Sequence, residues 1–274
     1  MTSAPAADVR AEFGVRHEVP HLLSGGQGAT WRAGDVVFKR VSSVREAEWV
    51  ASVLADLPEE GFRISRPIRS RSGTWAVGGW CAWQPVEGVH HFSGRWSDVL
   101  STGRRFHLAL RDVPRPGFID DRDDVWSAGD RAAWEDDVPT VIHDELRPLV
   151  RAFASYRTPS ELPSQVIHGD LTGNVLFAPG AAPAVIDFVP YFRPVQFALA
   201  VVVADAIAWH HASYELVRLL PAAGDPHSML ARAAIYRLVA ADHAAEQRMS
   251  NGSYLSDNVT AHRRILRAIR GGVA

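Results

Sequence analysis

The order of local patterns along the 274 residues predicts an α+β protein of two lobes. Three observations carry that expectation. Short β-branched and aromatic runs, punctuated by glycine, fill the chain as far as residue 83. Apolar residues at helical spacing dominate from residue 97 onward. Between the helical segments, residues 165–187 break the helical period with three short apolar runs around a polar turn. We therefore expect a mostly antiparallel N-terminal sheet with one helix over 1–82, and a larger helical lobe over 83–274 that carries the polar turn.

The first dozen residues are polar and alanine-rich, and we expect them to be mobile. Residues 19–23 and 35–41 read as strands. They are separated by Ser24-Gly25-Gly26-Gln27-Gly28, where glycine lets backbone N–H groups close over a phosphate without side chains in the way. Lys39 follows inside the second strand. Residues 44–57 read as a helix through Val50, Val53, Leu54 and Leu57, stopped by Pro58. That helix carries Glu46 and Glu48, which point to different faces because residues two apart on a helix do not align. Strands at 63–68 and 74–80 complete a sheet of about five strands. Helical spacing then recurs over 97–110, 138–156, 194–213, 228–248 and 257–270.

Composition excludes several classes of function. A formal net charge of −2 leaves no electrostatic footprint for nucleic acid or an anionic membrane surface. The longest apolar stretch, 197–209, is too short to span a bilayer and contains Asp205, so it reads as a buried helix. One cysteine, Cys81, excludes an intramolecular disulfide and fits a reducing compartment. Residues 1–9 show neither the basic nor the apolar region of a signal peptide, so a cytoplasmic protein is expected. The pairs His90-His91 and His210-His211 are read as non-ligands, since adjacent histidines diverge on a strand or a helix.

The most informative stretch is 165–187. Val166-Ile167 and Val175-Leu176-Phe177 flank a turn holding His168, Asp170 and Asn174, and a third run, Ala184-Val185-Ile186, ends on Asp187. Any one of these polar residues also fits ordinary turn chemistry. Two carboxylates and an amide at strand ends are, jointly, what phosphoryl transfer needs: one carboxylate to orient and deprotonate an alcohol, and an amide and a second carboxylate to hold Mg²⁺ on phosphates.

The H-G-D-x-x-x-N stretch followed by I-D-F resembles the catalytic core of the aminoglycoside phosphotransferase-like kinases, relatives of the protein kinases. The resemblance implies a bilobal protein-kinase-like fold that uses ATP and Mg²⁺ and phosphorylates a small-molecule acceptor. It makes Asp170 the catalytic base, Asn174 and Asp187 the metal ligands, and His168 the structural histidine of the loop. Ser24, Gly25, Gly26 and Gly28 become the phosphate-covering turn. Lys39 becomes the lysine that reaches the α- and β-phosphates, paired with Glu46 or, failing that, Glu48. The segment 80–88 resembles the interlobe linker, whose backbone, at Ala82 and Trp83, would contact adenine. One departure is local: Leu171, Thr172 and Gly173 leave three residues between base and asparagine where family members usually carry four. That shortening, with the apolar segment 190–194, supports an alternative reading as a nucleotide-binding pseudokinase acting as a regulatory module.

In the resembling family the region between the helices at 97–110 and 138–156 borders the acceptor pocket. Here it holds a run of carboxylates with Trp126 and Trp134 close by. Asp123 and Asp124 are the expected acceptor contacts, favouring a cationic, amine-bearing alcohol such as an amino sugar.

Overall fold

A computed structural model of the protein describes residues 3–23, 29–90, 94–248 and 253–271. The chain forms two compact units, 1–89 with 176–188, and 90–175 with 189–274. This differs from the expected division at 82/83. The first unit continues to residue 89, and it also claims residues 176–188, Asp187 among them, which sequence order alone assigns to the second.

The first unit opens with α1 (Ala7–Glu12), in the stretch expected to be mobile. That expectation is corrected. Val9 and Phe13 are buried, and the Phe13 ring meets Phe38 edge-on at 5.7 Å. Glu12 also accepts from the backbone N–H groups of Arg71 and Ser72. Two apolar side chains one helical turn apart suffice to dock a six-residue helix that would not persist alone.

The sheet of this unit comprises β1 (His21–Leu22), β2 (Thr30–Ala33) and β3 (Val36–Arg40), followed after α2 (Val44–Asp56) and β4 (Arg63–Ile64) by β5 (Pro67–Ile68), β6 (Ala76–Val77) and β7 (Trp80–Trp83). Its order is β1-β2-β3-β7-β5, with β6 on β7, and the pairings are antiparallel. Gly78 and Gly79, at φ 57° and 80°, make the two-residue turn joining β6 to β7, the geometry that matches strand twist and that glycine adopts without strain. Strand alternation sorts the side chains of β3. Val36 and Phe38 enter the core cluster with Val9, Phe13, Ala33, Trp80 and Ala82, so Lys39 projects from the other face, opposite Cys81 and Thr30 in the ladder. The expected strand at 63–68 divides: β5 joins this sheet, while β4 pairs in parallel with a later strand.

The second unit is helical. After β8 (Val89–His90) come α3 (Trp96–Ala109), α4 (Val125–Trp134), α5 (Arg147–Ala154), β9 (Gln165–His168), β10 (Val175–Phe177), β11 (Ala184–Val185), β12 (Pro190–Arg193), α6 (Val195–Trp209), α7 (Pro226–Arg248) and α8 (Ser253–Ile269). β10 and β11 run into or through the segment belonging to the first unit, where β11 is the parallel partner of β4. Helix α6 is buried on every side from Phe197 to Ala208, as an all-round apolar helix must be. It packs against α3, α7 and α8, and α7 packs against α4 and α5.

Two helical expectations change. The helix expected over 138–156 starts only at Arg147, because the carboxylate of Asp242 on α7 accepts from the N–H groups of Ile142 and His143 at 2.7 and 3.0 Å. Those amides are bonded across the fold and not along a helix. Conversely, the 120s form α4, where Asp124 caps the helix and Ser127 returns a bond to the Asp124 N–H. No helix among the described residues is long and apolar enough to cross a membrane.

Candidate active site

The polar turn lies in the second unit. β9 delivers His168 fully buried, and β12 pairs along it with Tyr191 opposite Ile167. A Cβ on Gly169 would come within 2.2 Å of the Tyr191 ring, so the middle residue of H-G-D is glycine for want of space. The apolar segment after Asp187, which set this chain apart from the expected pattern, is therefore the strand that covers the turn. His168 Nδ1 accepts from the Asp170 N–H at 3.1 Å, and the His168 N–H donates to His107 Nε2 at 3.0 Å. Burial, with the neighbouring His168 adding to it, pushes His107 down to about 3, so it is neutral and able to accept. Two histidines thus hold the backbone leading into Asp170.

The short spacing after Asp170 closes as a turn. The Asn174 N–H donates to Leu171 O at 3.0 Å, and Gly173 takes φ 77°. The Asn174 amide donates from Nδ2 to Asp170 O at 2.7 Å and approaches Asp170 Oδ2 at 3.4 Å. With its NH₂ turned toward Asp170, Asn174 keeps its amide oxygen as an acceptor for a cation.

The first unit holds two more of the expected site residues, Lys39 and Asp187. Lys39 forms an ion pair with Asp187, both side chains half-buried. Burial pushes the Lys39 ammonium down, to about 8. Asp187 sits at φ 52° without being glycine, a conformation that costs energy and is concentrated at functional sites. Phe188 beside it stacks at 6.5 Å on Trp49 of α2. Of the two glutamates on α2, Glu48 spends Oε1 on the N–H groups of Trp75 and Ala76, at 2.8 and 2.9 Å. Glu46 stands in the first turn, where its own N–H donates to Ser43 Oγ. Burial, then Glu48, pushes the Cys81 thiol up to about 12, so that cysteine is inert.

Ser24, Gly25, Gly26 and Gly28 lie outside the described residues. The expectation of a linker over 80–88 is corrected in part: residues 80–83 are β7, with ladder partners on both edges. Ala82 faces Phe38 and Ile68, and Trp83 faces Val37 and Pro67. Gln84 is bonded at both backbone groups, its N–H to Arg66 O and its carbonyl to Ser65 Oγ. In the acidic run, Asp124 Oδ1 accepts from the Trp126 and Ser127 N–H groups, Asp120 pairs with Arg115, and Asp130 is buried against Arg193. Much of that carboxylate density is structural; Asp123 is exposed.

Sequence reasoning missed Arg237. From the middle of α7 it grips Asp205 of α6 by two bonds, Nε to Oδ1 at 3.0 Å and Nη2 to Oδ2 at 2.6 Å, and Nη2 also reaches Asp170 Oδ1 at 2.7 Å. Burial alone would lower its pKa, but the carboxylates of Asp205 and Asp170 outweigh that and hold it above the ordinary value. The available signal was a lone carboxylate in one apolar helix and an arginine in the next, charges that rarely enter a core unpaired.

The solved structures that the chain resembles include an aminoglycoside phosphotransferase from Alicyclobacillus acidocaldarius, at 16% identity and TM-score 0.62 over 99% of this chain and 97% of that one. A choline kinase from Streptococcus pneumoniae follows at 12% and 0.58, over 93% and 94%. A spectinomycin phosphotransferase solved with ADP and spectinomycin stands at 11% and 0.58, over 95% of each chain. At these identities the likeness is one of fold, the protein-kinase-like one. No match is found among curated protein sequences. The model of the phosphotransferase enzyme family (APH) matches residues 22–193, a span that runs from β1 through β12 and includes Lys39, Asp170, Asn174 and Asp187. This chain belongs to the phosphotransferase enzyme family.

Proposed function

We propose that the protein transfers the γ-phosphoryl group of ATP to a hydroxyl of a small molecule, and that the acceptor is an amine-bearing alcohol. The observation that carries the first part is the ion pair of Lys39 and Asp187. A strand lysine and the aspartate of the I-D-F run are the two side chains of this family pattern that handle polyphosphate, and the fold brings them into contact across a long separation in sequence. Lys39 would neutralise the α- and β-phosphates, with Glu46 as its partner on α2, since Glu48 is engaged elsewhere. The glycine turn at 24–28 would cover the phosphates, and the backbone around Ala82 and Trp83 would border the base.

In the family pattern Asp187 and Asn174 would each give Mg²⁺ one oxygen donor, a carboxylate and an amide, and no group of three or more His, Cys, Asp or Glu side chains able to hold a metal occurs among the described residues. A sparse set of hard oxygen donors suits Mg²⁺, which keeps waters and takes phosphate oxygens to complete its shell. Bound there, Mg²⁺ would offset the charge of the phosphates. Asp170 would bind the acceptor hydroxyl, align it on the phosphorus and accept its proton. Positioning and charge neutralisation would supply most of the acceleration. The regulatory-module alternative gains nothing from the structure: the shortened loop closes as an ordinary turn, and the apolar 190–194 segment is a covering strand.

Support for an amine-bearing acceptor is the exposure of Asp123 and of Trp126, three residues on in sequence, together with the aminoglycoside, choline and spectinomycin kinases that share this fold. Titration calorimetry with Mg·ATP and Mg·GTP, followed by an ADP-release screen over neutral, anionic and amine-bearing alcohols, tests the reading. We expect Mg·ATP binding and turnover with amine-bearing acceptors. Absence of nucleotide binding rejects the kinase reading, and a preference for neutral or anionic acceptors rejects the acceptor class alone.

A further inference from the structure

We propose that Arg237, held in place by Asp205, is the positioning residue of Asp170, fixing one carboxylate oxygen so that the other faces the acceptor hydroxyl. The inference rests on the phosphotransfer reading of Asp170. Its starting point is a surplus in the network. Asp205 alone satisfies the Arg237 charge, through two bonds in a nearly buried pair whose side chains are 13% and 7% exposed. A strut between α6 and α7 would be complete at that stage. Arg237 Nη2 nevertheless donates a second time, to Asp170 Oδ1 at 2.7 Å, so two carboxylates share one guanidinium and one negative charge is left over.

The side chain that makes this bond has little freedom. Its guanidinium lies 5.0 Å from the Tyr236 ring centroid and 5.4 Å from that of Trp126, and a planar fork with two carboxylate partners is fixed in rotation as well as place. The consequence for Asp170 is asymmetric. Oδ1 takes a short charge-assisted bond, whereas Oδ2 has the long 3.4 Å approach of Asn174 Nδ2. A carboxylate free to rotate presents either oxygen in many directions. Anchored at Oδ1, this one presents Oδ2, the oxygen with lone pairs to spare for an incoming hydroxyl. The anchor comes from α7, outside the 22–193 span that the family model matches.

The test is a double-mutant cycle on the full chain. Arg237→Met combined with Asp205→Leu removes both buried charges together and substitutes apolar side chains, an exchange that folds tolerate far better than loss of one partner. The readouts are Mg·ATP affinity and kcat for ADP release, with water as acceptor and with the best alcohol from a panel containing choline, ethanolamine and kanamycin. We expect kcat to fall about 10- to 100-fold, the scale of a misplaced reacting group, with nucleotide Kd within about threefold. In an Asp170→Asn background the same pair of changes is expected to leave kcat where Asp170→Asn alone sets it, because there is no longer a carboxylate to orient. A strut would instead lower both backgrounds equally. A folded double variant with wild-type kcat, a multiplicative effect in the Asp170→Asn background, or a loss of Mg·ATP affinity matching the loss of kcat each overturns the proposal. If that double variant does not fold, Arg237→Gln with Asp205→Asn, uncharged but still able to bond amide to amide, reads the same quantities. Failure of the phosphotransfer reading is separate: it shows as an active Asp170→Asn protein, or as wild-type protein releasing no ADP.

Discussion

At the scale of single residues, the proposed function assigns the chemistry to Asp170 and to the Lys39–Asp187 pair. Asp170→Asn keeps the size of the side chain and its bond to Arg237 but removes the base, so turnover is expected to drop by roughly 10² to 10⁴, with Mg·ATP affinity within a few-fold. A calorimetric titration beside a steady-state assay checks both halves, and near-normal turnover refutes the assignment. Lys39 yields a pH prediction. Its ammonium, pushed down to about 8 by burial, must be charged to attract phosphates in the proposed role. kcat/KM for ATP is therefore expected to decline once pH rises through about 8 or somewhat above, with affinity retained below that. Lys39→Arg, whose charge survives beyond pH 12, should lack the alkaline limb. A wild-type profile flat to pH 10 would mean that this charge does not govern nucleotide capture.

At the scale of elements, the packing of α4, α6 and α7 holds the Arg237 that bonds Asp170. Gly129 on α4 lies so close to α7 that a Cβ would approach the Tyr236 carbonyl oxygen at 2.3 Å. Gly129→Ala gains roughly 1 kcal/mol of helix propensity, but a backbone clash of this kind costs about 1–3 kcal/mol and shifts the residue next to Arg237. We expect a net loss of stability accompanied by reduced kcat; unchanged melting and kcat would show that α7 yields freely. Asp242 is the second element-level lock. Its carboxylate accepts from Ile142 N, His143 N and His143 Nδ1, so Asp242→Ala should cost about 2–4 kcal/mol, the sum of lost charge-assisted bonds and stranded amides. Urea unfolding measures it, and a shift below half a kilocalorie would remove Asp242 from that role.

At the scale of the whole molecule, two wholly buried histidines set a limit on acid stability. Burial pushes His107 down to about 3; it also pushes His262 down to about 4, opposed there by the bond to Asn258 O. Both are neutral when folded and would be protonated below about 6.5 when unfolded. The unfolded chain thus binds more protons between pH 6.5 and those lowered values. Stability is full above 6.5 and falls as pH drops, by up to about 1.4 kcal/mol per pH unit for each histidine. Urea midpoints measured from pH 7 to 4.5 should show that slope, and His107→Gln, which retains an acceptor for the His168 N–H, should flatten it. Equal slopes in both proteins would put the acid sensitivity elsewhere.

What the sequence determined by itself was local. The strand-then-helix order and the helix α2 with its stop before Pro58 follow from side-chain period and turn chemistry, and the H-G-D-x-x-x-N and I-D-F runs carried the resemblance that singles out Lys39, Asp170, Asn174 and Asp187. Tertiary structure decided whatever depends on which distant segments meet. A six-residue α1 is stable because Phe38 is there to receive Phe13. Residues 138–146 stay out of helix because Asp242, a hundred residues on, binds their amides. Segment 190–193 is a strand because β9 offers it an edge. Lys39 meets Asp187, and Arg237 joins Asp205 to Asp170, only once the chain has folded. A buried charge is settled by its partner, and local sequence carries no record of which partner the fold will bring.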